Sequence, residues 1–307
     1  MQTDQPTLIC IVGPTAIGKT SLSLKLANQF STEILSADSR QFYKEMTIGT
    51  AVPSEDELAK AQHHFIQHLS IEDEYNVGKF EADGIAKLQT IFKTKSKAIL
   101  VGGSGLYQKA ITEGLDTFPE IPLKIRQKYT SIFETEGLEK LQALLKENDP
   151  EAYNVIEISN PRRLTRALEV VETSGKSFTF FQNQDKKERP FEVIKIGLDA
   201  PREVIYRRIE KRVDMMIEQG LVEEAKRLYP SRHLNALQTV GYRELFSYFD
   251  GKLSLAEAIS EIKKNTRRFA KRQLTWFKKD PDIHWFHFET PLEDILFTIE
   301  NKKTNRT

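Results

Sequence analysis

Thr7-Leu8-Ile9-Cys10-Ile11-Val12, running directly into Gly13-Pro14-Thr15-Ala16-Ile17-Gly18-Lys19-Thr20, decides how the rest of the chain is read. The first six residues are apolar or β-branched without alternation, the pattern of a strand buried on both faces. The next eight fit the spacing G-x-x-x-x-G-K-[ST] between a strand and a helix, the context that pattern requires. Two glycines let the backbone turn its N–H groups inward at the start of a helix, which makes residues 13–20 a cradle for a diphosphate or nucleotide. Lys19 adds a point charge, and the Thr20 hydroxyl suits Mg²⁺, directly or through water.

Working outward, a helix is expected from about Gly18 to Phe30, then a short strand over residues 33–37 that ends at Asp38. Lys97-Ala98-Ile99-Leu100-Val101 reads as a third strand, entering Gly102-Gly103-Ser104-Gly105. Strands alternating with helices predict a parallel, helix-covered sheet. From residue 119 to 187 the pattern turns helical, with Leu138, Leu141, Leu144 and Leu145 at helical spacing, and a charged stretch over residues 185–189 closes it. Val193-Ile194-Lys195-Ile196-Gly197-Leu198 returns to the sheet, a helix follows Pro201, two more fall near Glu244 and over residues 254–277, and residues 283–288 form a last strand. The expected architecture is α/β, a P-loop kinase-like parallel sheet made from residues 1–118 and 190–307, with residues 119–189 as an inserted helical subdomain. The tail from Asn301 is expected to fray.

With 307 residues and a 39% hydrophobic share, the chain can bury a substantial core. Its longest apolar run, residues 8–12, is too short to span a bilayer, and residues 1–4 lack the cationic start of a secretory leader. A cytoplasmic protein without membrane contact is expected. Cys10 is the only cysteine and lies in the first strand, so neither an internal disulfide nor a cysteine zinc site can form. Net charge is +1, yet residues 262–279 hold eight Lys or Arg and no acid, which points to an anionic partner on one face.

Asp38-Ser39-Arg40-Gln41 holds the most informative carboxylate. Asp38 reads either as a helix N-cap or as a general base facing the phosphate loop, and Arg40 and Gln41 beside it can hydrogen-bond a base or a phosphate. An ATPase or GTPase usually carries an acid after a later strand, and residues 98–101 run into glycines instead. Asn160-Pro161 opens a helix that Gly175 closes; Leu164, Ala167, Leu168 and Val171 form its apolar stripe, leaving Arg162 and Arg166 one turn apart. In the late helix Lys264, Arg268 and Arg272 recur at four-residue intervals with Arg267 and Lys271 alongside, while Ile262, Phe269 and Phe277 can face the core. A basic face near Tyr242, Phe246 and Trp276 suits a folded RNA with an unstacked base. His63 and His64 are read as lying on different faces of a helix, packing or bonding locally rather than holding a metal, and Glu223-Glu224 as ordinary helix surface.

Taken together, residues 13–20, 38–41, 48–51, 63–64, 101–107, 160–170, 240–244 and 266–277 resemble the bacterial tRNA dimethylallyltransferase family in order and across nearly the whole chain. The sequence departs at Ile17, Val52 and Ser104, where that family often has Ser, Lys and Thr. The resemblance implies transfer of a dimethylallyl group from dimethylallyl diphosphate to N6 of the adenosine just 3′ of the tRNA anticodon, with Mg²⁺ and release of diphosphate. It implies Asp38, Thr20, Ser104 and Arg212 as catalytic residues. It implies tRNA contacts at residues 38–41, at Arg162, Arg163, Leu164, Thr165 and Arg166, at Gln238, Thr239, Val240, Gly241, Tyr242 and Arg243, and at Arg267, Arg268, Lys271 and Arg272. The partners expected are an anticodon stem-loop and dimethylallyl diphosphate, and the chain is expected to be a monomer. Three rivals remain at this point: an enzyme prenylating free adenine nucleotides, a phosphate-loop ATPase or small-molecule kinase, and a non-catalytic RNA-binding module.

Overall fold

The computed structural model describes residues 5–182 and 187–301. The leader reading of residues 1–4, the first residues of the charged stretch 185–189 and the tail beyond Asn301 lie outside them. In chain order the elements are β1 (Thr7–Val12), α1 (Lys19–Phe30), β2 (Ile34–Ser36), α2 (Glu55–Leu58), β3 (His63–His64), α3 (Val77–Ile91), β4 (Lys97–Val101) and α4 (Gly105–Thr112). There follow α5 (Leu123–Asn148), α6 (Pro150–Val155), α7 (Pro161–Ser174), β5 (Glu192–Asp199), α8 (Arg202–Glu218), α9 (Leu221–Leu228), α10 (Tyr242–Phe249), α11 (Leu255–Phe277), β6 (Ile283–His287) and α12 (Leu292–Asn301).

The six strands form one sheet in the order β3-β2-β4-β1-β5-β6, and every pairing is parallel. β1 lies near the centre because it is apolar on both faces; Leu8, Ile9 and Ile11 are fully buried, each worth roughly 1.5–3 kcal/mol against exposure. Leu8 and Cys10 face one core with Leu35 and Leu100, whereas Ile9 and Ile11 face another with Ile99, Ile194 and Ile196. The alternation of a pleated strand thus feeds two helix-covered layers. Burial also pushes the Cys10 thiol up to about 12, so this cysteine behaves as a small hydrophobe.

The chain divides into two compact units, one of residues 1–113 with 188–307, the other Gly114–Lys187. The first contains the sheet. The second is helical, built on α5, α6 and α7 around Tyr129, Leu141, Leu145, Leu164, Ala167 and Leu168. α5 bends at Gly137, where φ is 78° and ψ is −171°. α7 opens and closes where its sequence says it should: the Asn160 side chain accepts from the N–H groups of Arg162 and Arg163, and Gly175 ends it in the left-handed region. Among the described residues no helix is long and apolar enough to cross a membrane.

The structure corrects two local readings. His63 and His64 form an edge strand paired to β2 rather than a helix; the His63 ring bonds the Ala61 carbonyl and His64 Nε2 lies 2.6 Å from Glu33 Oε2. Two residues are too few for any periodicity to register. Phe269, expected in the core, is exposed on α11, while Ile262 and Phe277 are buried.

Candidate active site

The ends of β1, β2 and β4 place three loops side by side, the position at which open α/β sheets bind ligands. The phosphate loop takes the backbone its glycines permit. Gly18 stands at φ 113° and opens α1. Ala16, without a glycine's freedom, sits at φ 64°, a conformation costing about 1–2 kcal/mol. Its carbonyl is held by Arg208 Nε of α8 at 2.7 Å. One turn further along α8, Arg212 donates to Thr15 Oγ1 at 3.2 Å. Ile17 is buried and anchors the loop from below.

Lys19 bends back over the loop, its Nζ donating to the carbonyls of Gly13 at 3.0 Å and Pro14 at 2.8 Å. Loss of hydration pushes its ammonium down to about 7; Asp38 pulls in the opposite direction and Arg212 adds to the depression. Arg212 is likewise lowered, first by burial, with Asp38 again the largest opposing influence. Asp38, Lys19 and Arg212 therefore share one electrostatic environment, with two cations to one acid.

Asp38 caps no helix. Its Oδ1 accepts the Arg40 N–H at 3.1 Å in a local turn, and after Asp38 no α-helix begins until Glu55. Ser104 stands next to it on the turn after β4: its Oγ accepts the Ser39 N–H at 3.2 Å and lies 3.3 Å from Ser39 Oγ. Thr20 occupies the first turn of α1. The residues expected to do chemistry are thus gathered, but their neighbours have other tasks. Gln41 spends its amide on the carbonyls of Thr50 and Ala51 and accepts from Ser36. Arg40 NH1 donates to the carbonyls of Asn235 and Ala236.

Two side chains expected at the RNA surface are in the interior. Tyr242 is fully buried, its hydroxyl donating to Glu224 Oε1 at 2.7 Å and its ring so close to Gly49 that a Cβ there would lie 2.6 Å away. Leu164 is a core residue of the helical unit. Around Tyr242, Gly241 donates its N–H to Glu244 and Gln238 bonds the Arg232 carbonyl, with Thr239 and Val240 half-buried and Arg243 exposed. In the helical unit Arg162 and Arg163 are exposed, Arg163 is 3.1 Å from Glu157, Thr165 bonds the Pro161 carbonyl, and Arg166 lies over the Phe118 ring. On α11, Arg268, Lys271 and Arg272 share an exposed face with Phe269 and Trp276. Arg267 turns away to Glu210 of α8 at 2.6 Å.

Two residues emerge that the sequence reading passed over. Glu224, taken for helix surface, is buried; it accepts from the N–H groups of Thr47, Ile48 and Gly49 at 2.9–3.0 Å as well as from Tyr242. It fixes the loop whose carbonyls hold Gln41. A signal was present, because Leu221, Glu224, Ala225 and Leu228 form one helical stripe with a charge inside it. Gln273, also buried, accepts from the Thr15 N–H and donates to the Gly103 carbonyl, both at 2.9 Å; here too the signal was a polar residue on the buried stripe of Ile262, Ala270 and Phe277.

Comparison with known proteins bears on the same elements. The family model described as IPP transferase matches residues 41–280. The tRNA dimethylallyltransferase of Christiangramia forsetii is 61% identical over 96% of this chain and 98% of its own, and that of Flavobacterium johnsoniae 53% identical over 97% and 99%. Among solved structures, the tRNA isopentenylpyrophosphate transferase of Bacillus halodurans superposes with a TM-score of 0.71 at 34% identity, covering 97% of this chain and 95% of that one. A eukaryotic dimethylallyltransferase, described as acting on tRNA, gives 0.82 at 25% identity over 98% and 80%. A match that takes in the Glu224 clamp and the α11 contact to the phosphate loop, with relatives aligned nearly end to end at more than half identity, places this chain in the IPP transferase family.

Proposed function

We propose that this protein transfers the dimethylallyl group of dimethylallyl diphosphate to N6 of the adenosine immediately 3′ of a tRNA anticodon, releasing diphosphate. The observation that carries the reading is the geometry of the phosphate loop, where Lys19 Nζ lies on the Gly13 and Pro14 carbonyls and Arg212 on Thr15 Oγ1, with the Asp38 carboxylate opposing both cations. The cations and the loop N–H groups receive the charge that develops as the carbon–oxygen bond to diphosphate breaks. The adenine N6 lone pair is delocalised into its ring, so Asp38 assists by accepting the N6 proton as the carbon–nitrogen bond forms, an effect of about 10²–10⁴-fold. Ser104, bonded to Ser39 beside the acid, offers a hydroxyl to the departing oxygen. The donor set fits Mg²⁺, since the Thr20 hydroxyl and diphosphate oxygens are the hard ligands that ion prefers; bound there, it would neutralise diphosphate charge.

On the acceptor side, Arg268, Lys271 and Arg272 hold the RNA backbone while Phe269 and Trp276 offer faces to unstacked bases. Arg162 and Arg166 of the helical unit add phosphate contacts. Arg40 and Gln41 support the acid's loop rather than touch RNA. The target base must leave its stack to reach the donor. The reading includes action as a monomer in the cytoplasm.

Incubation with undermodified tRNA, Mg²⁺ and dimethylallyl diphosphate, then nuclease digestion and mass spectrometry, should yield an adenosine heavier by one C5 alkyl group. Parallel reactions should favour an anticodon stem-loop over AMP in kcat/KM, because a free nucleotide makes no use of the α11 face. Absence of the alkylated nucleoside from every tRNA, or preference for AMP, would overturn the assignment.

A further inference from the structure

The turn between β4 and α4 is tied to β1 and the phosphate loop by two buried carboxamides. Gln108 donates to the Gly102 carbonyl at 2.8 Å and to the Ile11 carbonyl at 3.3 Å. Gln273, on a different helix and only 6% exposed, accepts from the Thr15 N–H and donates to the Gly103 carbonyl. The fit is close: a Cβ built on Gly103 would lie 2.1 Å from Gln273 Nε2, so any larger residue at 103 would displace the carboxamide from this position. The next residue, Ser104, is the one whose hydroxyl meets Ser39 beside Asp38.

From this juxtaposition we infer that Gln273 is a positioning residue for the transfer proposed above, setting the distance between the phosphate loop and the Ser104 turn and keeping the Thr15 amide away from the donor's phosphates. The chemistry singles out a carboxamide. One end must accept from an N–H while the other donates to a carbonyl, both from a side chain that is itself buried. A carboxylate offers no donor to Gly103, and an apolar side chain leaves both backbone groups unpaired. Displacement of either loop by about an ångström is enough to cost a transfer reaction on the order of 10²-fold. The inference rests on the prenyl-transfer reading for its catalytic consequence but not for the loop geometry.

Gln273→Glu supplies the test, because protonation restores an O–H where the amide N–H stood. At pH 8 the variant should bind inorganic diphosphate at least fivefold more weakly than wild type by calorimetry, with a matching rise in KM for dimethylallyl diphosphate, a lower kcat and an unchanged KM for tRNA. The variant-to-wild-type ratio should recover as pH falls toward 5.5. Gln273→Met, equal in length but without polar ends, should be impaired equally at every pH, and circular dichroism establishes that each variant is folded. A Gln273→Glu ratio flat with pH, or a folded Gln273→Met with wild-type diphosphate affinity and kcat, would overturn the inference. If wild type binds diphosphate yet alkylates no RNA, the reaction assignment fails, and the diphosphate affinities alone still decide the role of Gln273.

Discussion

Lys19 donates to two carbonyls of its own loop while burial holds its ammonium near the point of losing its proton. As pH rises through about 7 the empty site gives up that proton, whereas a bound diphosphate favours the charged form and raises the affinity for it again. Donor binding above neutrality should therefore take up a proton and weaken by roughly tenfold per pH unit once Lys19 is mostly neutral. Calorimetry at pH 8 in two buffers of different ionisation enthalpy measures the uptake; Lys19→Met should bind weakly and lose it, and equal uptake in both proteins would contradict the account. The role of Lys19 was legible because loop and helix are contiguous in sequence. The setting of Asp38 was only half legible, since an aspartate after a strand reads equally as a cap until the following residues are seen to form no helix.

Elements explain why some side chains were misplaced. Strand β1 and helix α1 announce themselves through an unbroken apolar run and a glycine turn, both local signals. α9 is different: Glu223-Glu224 looks solvated, and only the partners brought in from residues 47–49 and α10 show why a carboxylate lies on its buried stripe. Glu224→Ala would strand three backbone N–H groups and the Tyr242 hydroxyl, so a loss of about 3 kcal/mol in urea denaturation is expected. Periodicity on α11 likewise gave the basic face but not which cations were spoken for. Lys263 pairs with Asp214 and Arg267 with Glu210, both on α8, leaving Arg268, Lys271 and Arg272 on the exposed face. Replacing those three with Gln should lower the slope of log affinity for tRNA against log salt by about 2–3. Arg267→Gln should change that slope by less than one third as much.

At the scale of the whole molecule, residues from both sides of the helical unit complete a single sheet: β5 and β6 follow it in sequence yet β5 lies directly against β1. Alternating strands and helices made that parallel sheet readable in advance. The edge strand β3 and the carboxamide bonds of Gln273 were not, because they depend on contacts between residues far apart in the chain. This long-range closure brings α8 and α11 over the phosphate loop, and with them Arg208, Arg212 and Gln273. One arrangement is central to the proposed chemistry, an acid at the end of β2 opposing the cations gathered on the loop after β1. Single-turnover transfer by Asp38→Asn, measured beside its affinity for tRNA, tests it most directly. The account predicts a rate reduced by about 10²–10⁴-fold with tRNA affinity within twofold of wild type; an unchanged rate, or a loss explained wholly by weaker tRNA binding, would contradict it.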